Sequence, residues 1–293
     1  MRVLVFGSGG FIGQHLIANL QQSGEFEVIG ASTQDGRSMD AAAGRIADDF
    51  ELPENINTVI YLSQSPYWRE GASRFDHVLS VNCGSAVKLA SLAQRAGASR
   101  FIFTSTGTVY RPSFTPLDEQ ADLNRKDWYA LSKLFSEEAL LNIGGTMNVS
   151  CLRLFGVYGS KQQGRLISNL AKRISTKQPI ALDRDLFTGQ TEGLRSSMTH
   201  VDDLVAVCRQ LIRREYLPPI LNVASDQVAS IREIATEVGR ILGLHVNFEE
   251  TNRELSGHFV ADVTKMQSLV SHTFRTLPDG LSGMSSPGDL GLV

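Results

Sequence analysis

Tyr129 and Lys133 are the two residues whose types and spacing most directly indicate chemistry, in the segment YALSK at 129–133. Residues four apart lie on one face of a helix, so the phenol and the ammonium group are expected to be neighbours. A nearby ammonium group favours the phenolate and lowers the pKa of the tyrosine towards neutrality. We therefore predict that Tyr129 transfers a proton between an alcohol and a ketone. An ordinary surface helix is the alternative, because this spacing also arises by chance.

A group of hydroxyl residues follows an apolar strand pattern upstream of that helix. The segment FIFTSTGTVY covers residues 101–110, and Thr106 and Thr108 stand where its apolar run ends. Ligands of open α/β sheets bind at the carboxyl ends of the strands. We therefore expect these two threonines to contact the substrate, with a hydroxyl group bonded to its reacting oxygen.

The first residues show a pattern typical of a dinucleotide site. The apolar strand Arg2–Phe6 leads into GSGGFIG at 7–13, and a helical pattern follows. Glycines allow a tight turn close to the phosphates, and a helix N-terminus attracts their charge. A purely structural turn is the alternative. The predicted cofactor residues here are Gly7, Gly10, Phe11, Ile12 and Gly13.

The end of the second predicted strand is where such folds bind the adenosine ribose. No acid stands directly at this end, where Ser32 and Thr33 are followed by Arg37. An acid would repel a 2′-phosphate, whereas hydroxyl groups and an arginine can hold it. The cofactor is therefore expected to be NAD(P), with a slight preference for NADP, although Asp35 keeps NAD open and Arg37 also fits a surface charge.

The elements that must position these groups are predicted from hydrophobic periodicity. Short apolar runs alternate with helical patterns, which is typical of a parallel α/β sheet. The predicted buried strands are Arg2–Phe6, Glu27–Ala31, Thr58–Leu62, Arg100–Ser105 and Asn148–Phe155. Predicted helices cover 12–22, 78–96, 127–141, 166–174, 202–214 and 231–242, with short strands at 179–182 and 220–224. A loose tail is expected from residue 281 onwards.

Composition is that of an ordinary globular protein, with 42% hydrophobic and 20% charged residues. A net charge of −3 gives no electrostatic footprint for nucleic acid. No segment has the roughly 18 apolar residues of a membrane span, and no signal peptide is predicted, so a cytoplasmic location is expected. No metal site is predicted. Cys83, Cys151 and Cys208 are interpreted as buried hydrophobic residues in a reducing compartment.

Eight segments in order resemble the extended short-chain dehydrogenase/reductase superfamily, especially its sugar-nucleotide epimerase, dehydratase and reductase branch. They are GSGGFIG at 7–13, VIYLSQS at 59–65, VNCGS at 81–85, FIFTSTGTVY at 101–110, YALSK at 129–133, LRLFGVYG at 152–159, HVDDL at 200–204 and LNVAS at 221–225. The resemblance implies a Rossmann-type doubly wound parallel sheet with a smaller C-terminal substrate-binding domain. It assigns residues 1–155 and 196–223 to NAD(P) binding and 156–195 and 224–293 to substrate binding.

The resemblance also implies roles for matched positions. Thr106 corresponds to the catalytic Ser/Thr, Tyr129 to the acid/base, and Lys133 to the residue that binds the nicotinamide ribose. A homodimer is expected from the resemblance alone. The remaining matched cofactor positions are Asp49, near the adenine, and Leu62, Ser63 and Asn82, along the dinucleotide.

Departures from the family pattern narrow the function. Dehydratases carry an Asp-Glu pair directly after the catalytic residue, where this chain has Gly107 and Thr108, so sugar 4,6-dehydration is disfavoured. The family often has Asn in place of Gly156, which weakens the case for a nucleotide-linked substrate. Arg195 is the candidate for the substrate phosphate, although it lies one residue farther from His200 than usual.

The sequence therefore predicts an NAD(P)-dependent epimerase or ketoreductase that acts on a sugar, with a nucleotide-linked sugar favoured. The same residues serve both reactions, so the sequence does not separate them. A reductase of a non-sugar carbonyl compound is one alternative. A non-catalytic NAD(P)-binding sensor protein is another, against which the presence of both Tyr129 and Lys133 argues. The expected partners are a small-molecule substrate and a second subunit. No nucleic-acid or membrane partner is expected.

Overall fold

The computed structural model describes residues 1–33, 38–143, 145–284 and 286–292, so the predicted cofactor residue Arg37 lies outside the described residues. The strands are β1 (Arg2–Phe6), β2 (Glu27–Ala31), β3 (Met39–Asp40), β4 (Arg45–Ile46), β5 (Thr58–Tyr61), β6 (Arg100–Thr106), β7 (Asn148–Leu154), β8 (Val157–Tyr158), β9 (Ile180–Arg184), β10 (Arg195–Ser197), β11 (Thr199–His200), β12 (Ile220–Val223), β13 (Val228–Ser230) and β14 (Phe248–Glu254). The α-helices are α1 (Phe11–Gln22), α2 (Phe75–Leu79), α3 (Ala86–Arg95), α4 (Trp128–Leu141), α5 (Leu166–Ser175), α6 (Val201–Ile212), α7 (Ile231–Leu242), α8 (Thr264–Leu269) and α9 (Leu277–Ser282).

Six parallel strands form the central sheet in the order β12-β7-β6-β5-β1-β2. Phe6 at the end of β1 pairs with Ala31 of β2 on one side and with Tyr61 of β5 on the other. The chain therefore moves outwards from β1 in both directions, and ligands of open sheets bind at such a switch point, beyond the strand ends. The predicted α/β class with a doubly wound parallel sheet is confirmed.

The chain forms two compact units. The first comprises Met1–Tyr110, Asp122–Leu154 and Val205–Leu221, and the second comprises Arg111–Ala121, Phe155–Leu204 and Asn222–Val293. Residues 111–121 and 196–204, which the sequence assigned to NAD(P) binding, thus lie in the second unit. The first of these segments pairs with a distant part of that unit: Ser113 and His258 exchange backbone hydrogen bonds of 3.0 and 2.8 Å. The separate roles of the two units stay a prediction.

The first unit is built around the sheet and its covering helices. Its buried core includes Leu4, Phe6, Tyr61 and Phe103, with Leu89 of α3 packed among them. The predicted helix over 78–96 is wrong in one respect: it consists of α2, a π-helical segment over Ser80–Ser85, and α3. A π-bulge re-aims side chains locally and often lies at a functional site.

The second unit has a separate apolar core. Helix α7 starts as the sequence predicted, because the Ser230 hydroxyl accepts from the Glu233 N–H at 3.1 Å while the Glu233 carboxylate accepts from the Ser230 N–H at 2.7 Å. The expectation of a loose tail is wrong for the part that the structure describes. Met284 and Leu290 are buried. Both belong to the apolar core of the second unit, so residues beyond 281 contribute to that core.

The thiols fit their predicted structural role to different degrees. Cys151 and Cys208 are buried, whereas Cys83 is half-buried, and all three are free. Burial raises the pKa of Cys208 to about 12, so this thiol stays protonated at neutral pH. Of the helices that the structure describes, none is both long and apolar enough to cross a membrane.

Candidate active site

The glycine turn after β1 leaves no room for side chains at two positions. Gly7 has a φ of +96°, and a Cβ there would lie 2.7 Å from the backbone nitrogen of Ser63. A Cβ on Gly13 would overlap the carbonyl oxygen of Gly7. Glycine is therefore required at both positions for the backbone to fold this closely. This close approach of 7–13 to the end of β5 brings together Gly7 and Ser63, two of the residues predicted to bind the cofactor.

The turn ends at a helix N-terminus that is open to an anion. Helix α1 begins at Phe11 with Gly10 as its N-cap, and the described side chains provide neither a capping hydrogen bond nor an acid in the first turn. The first N–H groups of the helix are therefore left for another acceptor. The N–H groups of Gly7 and Ser8 donate to the carbonyl of Ala31 at 2.7 and 3.1 Å, which fixes the turn. Such a helix N-terminus is the kind of site that holds phosphate groups.

The residues predicted to contact the adenosine half lie beyond β2 and β4. Ser32 is half-buried directly after β2, and Thr33 is exposed. Asp49 lies exposed in the turn after β4, beside Asp48, which forms ion pairs of 3.8 Å with Arg45 and 3.7 Å with Lys88. Asp48 is thus committed to a surface network, which leaves Asp49 as the acid at this position.

Leu62 and Asn82 lie between the glycine turn and helix α4. The Leu62 N–H donates to the carbonyl of Phe6 at 2.8 Å and continues the pairing of β5 with β1. Asn82 lies in the π-helical segment and is fully buried. Its Oδ1 accepts from the Ser65 N–H at 3.2 Å, and its Nδ2 donates to Ser132 Oγ at 2.9 Å. Asn82 therefore ties the loop after β5 to helix α4.

Tyr129 stands in the first turn of α4 with its hydroxyl group engaged. Asp127 caps this helix by accepting from the Ala130 N–H at 2.8 Å. The Tyr129 hydroxyl donates to Oε1 of Gln64 at 2.9 Å. The ring of Trp68 lies 5.3 Å from the Tyr129 ring. The phenol is half-buried, so a substrate can reach it from solvent.

Lys133 lies one turn further along α4 and is buried, with 2% of its surface exposed. Its Nζ donates to the carbonyl of Thr104 at 2.8 Å and lies 4.7 Å from the centre of the Phe103 ring. A buried ammonium group requires such partners to offset its lost hydration. These contacts hold the lysine against β6, two residues before Thr106.

Thr106 ends β6 and begins a short 3-10 turn over Gly107–Val109. Its Oγ1 accepts from the Thr108 N–H at 3.2 Å and lies 3.1 Å from Thr108 Oγ1. Thr106 is half-buried and Thr108 exposed. The adjacent Ser105 is buried, and no described residue hydrogen-bonds its hydroxyl group.

A buried ion pair fixes α4 against the sheet behind these groups. The Arg153 guanidinium donates to both carboxylate oxygens of Glu137 at 2.6 and 3.1 Å, and both side chains are at most 4% exposed. Burial alone would lower the pKa of Arg153, but the hydrogen bond and charge of Glu137 outweigh it and raise the pKa. Glu137 lies one turn beyond Lys133, so this pair sets the position of the catalytic helix.

Arg195 and Gly156 belong to the second unit. Arg195 is exposed at the start of β10, and its N–H donates to Nδ1 of His258 at 3.2 Å. Gly156 has a φ of +47°, and a Cβ there would overlap the carbonyl oxygen of Ser197. In this backbone arrangement, the asparagine that is common at this position in the family would fit only if the Ser197 carbonyl moved.

Gln64 and Ser105 are the polar residues at strand ends that the sequence did not single out. Both lie within motif segments, and a polar side chain directly after a buried strand was the available signal. Within the described residues, no three His, Cys, Asp or Glu side chains converge as metal ligands do. Every described residue predicted for catalysis or cofactor binding lies in the first unit, whereas Arg195 lies in the second.

Comparison with known proteins gives matches along most of the chain. The sequence model of the NAD dependent epimerase/dehydratase family matches residues 3–224. UDP-glucuronic acid decarboxylase 2 of Arabidopsis thaliana is 25% identical over 292 residues, covering 92% of this chain and 64% of that protein. The chain thus spans slightly less than two thirds of this relative. dTDP-4-dehydro-6-deoxyglucose reductase of Escherichia coli is 26% identical over 257 residues, or 79% of each chain.

Solved structures share the fold. The crystal structure of UDP-glucuronic acid 4-epimerase from Bacillus cereus, in complex with UDP-glucuronic acid and NAD, superimposes with a TM-score of 0.80 at 21% identity. The match covers 96% of this chain and 97% of that one. At this level of identity the similarity shows the arrangement of elements, which agrees with the predicted Rossmann-type sheet.

Proposed function

Because the chain belongs to the NAD dependent epimerase/dehydratase family, we propose that it is an NAD(P)-dependent epimerase or ketoreductase acting on a nucleotide-linked sugar. The family agrees with the eight predicted segments, so the predictions of the extended short-chain dehydrogenase branch and of an enzyme are confirmed at that level. One observation carries the proposal. Tyr129 stands accessible on α4, while Lys133 on the next turn is held against the end of β6 by Thr104.

The proposed cofactor site uses the cradle at 7–13. Gly7, Gly10, Phe11, Ile12 and Gly13 would hold the pyrophosphate. Ser32, Arg37 and Asp49 would contact the adenosine half, with Leu62, Ser63, Asn82 and Lys133 along the rest of the dinucleotide. The bound dinucleotide supplies reversible hydride exchange with a substrate carbon. The hydroxyl residues after β2 support NADP, whereas the Bacillus cereus epimerase was solved with NAD.

The proposed proton transfer is performed by this chain's own side chains. Tyr129 Oη gives a proton to the substrate oxygen during reduction and takes it back during oxidation. Thr106 and Thr108 would hydrogen-bond the substrate, and the Thr106 hydroxyl would orient the reacting oxygen. Arg195 would bind the substrate phosphate. The buried ammonium of Lys133 would favour the phenolate when the proton leaves.

The relatives do not separate the two forms: the 26% identity to dTDP-4-dehydro-6-deoxyglucose reductase supports a one-way ketoreductase, whereas the 28% identity to UDP-glucose 4-epimerase of Vibrio cholerae supports an epimerase. An epimerase keeps its cofactor and returns the hydride, whereas a reductase exchanges the cofactor at each turnover. The reductase of a non-sugar carbonyl compound and the sensor protein remain the alternatives. The cytoplasmic location, the absence of a metal and the absence of nucleic-acid and membrane partners stay predictions.

The proposed homodimer is supported by an apolar groove on the first unit. The groove has a volume of about 760 Å³ and lies between the π-helical segment and α4, with Leu79, Cys83 and Phe135 among its lining residues. Phe135 on α4 is 39% exposed, which adds apolar surface to this groove. Pairing of two copies through these helices would bury the groove.

The experiment that tests the proposed function is turnover of UDP-glucose, UDP-glucuronic acid and a dTDP-4-keto-6-deoxysugar with added NAD(P)(H). We expect one of these to react, and Tyr129→Phe to lower kcat by about 100-fold or more. Tyr216→Phe, at an exposed tyrosine, is the matched control and should leave kcat unchanged. Full activity of Tyr129→Phe would contradict the assigned acid/base.

A further inference from the structure

Gln64 is the polar side chain in contact with the phenol of the proposed acid/base. Its Oε1 accepts the hydrogen bond from the Tyr129 hydroxyl at 2.9 Å. It stands two residues after Leu62, whose pairing with Phe6 extends the carboxyl end of β5. Neither the proposed proton transfer nor the proposed cofactor site uses Gln64.

The loop that carries Gln64 is held by buried hydrogen bonds. The N–H of the next residue, Ser65, donates to Oδ1 of Asn82 at 3.2 Å. The Ser65 hydroxyl lies 2.9 Å from Nδ1 of His77, and it also accepts from the Tyr67 N–H at 3.2 Å. The backbone beside Gln64 is therefore fixed relative to α4, and its carbonyl group is presented to the phenol from a defined position.

A carbonyl oxygen can accept a hydrogen bond but cannot donate one. In the observed orientation of the Gln64 amide, its bond to the Tyr129 hydroxyl therefore stabilises the protonated phenol, whereas the phenolate would be stabilised only if the amide rotated to turn its Nε2–H donors towards Tyr129. Lys133 acts in the opposite direction, because its positive charge favours the phenolate. The balance between Gln64 and Lys133 determines how readily Tyr129 gives up its proton.

Building on the proposed function, we propose that Gln64 is a positioning residue that holds Tyr129 as the proton-bearing phenol. It thereby favours proton donation to a substrate carbonyl over proton removal from a substrate alcohol. A substrate oxygen that receives the proton must take the place of the Gln64 carbonyl as acceptor. We therefore infer that, without substrate, the site holds Tyr129 protonated, which is the form needed to reduce a substrate carbonyl.

Other charged groups around the phenol stay the same in the variants that test this role. Lys133 lies one turn along α4, and Asp127 caps that helix two residues before Tyr129. From the loop after β5, the Arg69 guanidinium lies 4.3 Å from the centre of the Trp68 ring, which packs beside Tyr129. None of these groups is altered, so a changed titration reports Gln64 itself.

The test is a titration of tyrosinate absorbance in Gln64→Met and Gln64→Glu, without substrate. The chain has six tyrosines, so each protein is measured against the same protein carrying Tyr129→Phe, and the difference isolates Tyr129. Burial raises the pKa of Tyr61 and of Tyr158, so neither contributes near neutrality. Loss of the acceptor in Gln64→Met should lower the titration midpoint of Tyr129 by about one pH unit.

Gln64→Glu keeps nearly the same side-chain shape and should shift the titration midpoint of Tyr129 in the opposite direction. Its carboxylate accepts the hydrogen bond and repels the phenolate, so the midpoint of Tyr129 should rise. Gln178→Met, at an exposed glutamine, is the control for the substitution itself and should leave the midpoint unchanged. A midpoint in Gln64→Met that equals or exceeds that of the unchanged protein would overturn the inference.

The pH dependence of alcohol oxidation gives a second readout. The acidic limb of kcat/KM should shift to lower pH in Gln64→Met and to higher pH in Gln64→Glu, because oxidation needs the phenolate. The two proposals fail separately. A shifted titration without turnover of any sugar nucleotide would sink the proposed function alone, whereas turnover with an unshifted titration would sink the role of Gln64 alone.

Discussion

Tyr129 and Lys133 share one helix face but have very different surroundings. The lysine is buried and bonded to the carbonyl of Thr104, whereas Tyr129 is half-buried and its hydroxyl donates to the side chain of Gln64. An acid/base must exchange a proton with a substrate, so it needs access. A positive charge that favours the deprotonated form of this acid/base needs a fixed position. The two environments match the two proposed roles.

Ser105 allows a test of how a buried polar group beside the candidate site affects the free energy of unfolding. Its hydroxyl is buried and has no hydrogen-bond partner in the described part of the chain. Ser105→Ala removes an uncompensated buried polar group, so the free energy of unfolding should stay the same or rise by about 1 kcal/mol.

The matched control for that variant is Ser150→Ala. The Ser150 hydroxyl is also buried, but it donates to the carbonyl of Pro218 at 2.6 Å. Its loss should lower the free energy of unfolding by about 1–2 kcal/mol in urea denaturation. Equal losses in the two variants would mean that Ser105 has a structural partner after all.

At the scale of elements, the site depends on α4 being held against the sheet. Hydrogen bonds from Asn82 attach it to the loop after β5, and the Arg153–Glu137 pair attaches it to β7. These contacts form because helix α4, which contains the YALSK segment, runs past two strand ends. A shift of α4 would move Tyr129 and Lys133 together relative to Thr106.

Glu137→Ala should therefore be strongly destabilising. It leaves the Arg153 guanidinium charged and unpaired at 4% exposure, which costs about 3–5 kcal/mol. The neighbouring variant Glu138→Ala breaks an exposed pair with Arg125 and should cost less than about 1 kcal/mol. Urea unfolding of the two proteins makes the comparison, and similar losses would contradict the assigned importance of the buried pair.

Strand prediction succeeded where burial dominates the sequence pattern. The predicted strands that became β1, β2, β5, β6 and β7 are correct to within one residue at each end, because runs such as RVLVF have both faces covered. Strand β14 was missed, because its sequence FEETNRE is mostly polar and exposed, and its pairing with β9 supplies the order.

The site was only partly predictable for a similar reason. Motif spacing indicates which residues share a helix turn or a strand end, so Tyr129, Lys133 and the glycine turn follow from the sequence. Side-chain contacts between distant segments do not. The bond from Tyr129 to Gln64 joins residues 65 positions apart, and the π-helical segment that places Asn82 has no periodic signal that separates it from an α-helix.

At the scale of the whole molecule, the candidate chemistry and the dinucleotide cradle both belong to the first unit. Gly7, Ser63 and Leu62 lie at the switch point of the sheet, and α4 passes the neighbouring strand ends. The second unit contains Arg195 and its own apolar core. That one unit binds the cofactor and the other the substrate stays a prediction.

The most direct test of this account is calorimetric titration of the purified protein, freed of any bound dinucleotide, with NAD+ and NADP+. One site per chain for at least one of them is the predicted result. Gly7→Ala should lower that affinity at least 10-fold, since its Cβ meets the Ser63 backbone, whereas Gly283→Ala, at a negative φ and with nothing within 4 Å, should not. Binding of neither dinucleotide would contradict the account, because the turn at 7–13 would then be a structural turn alone.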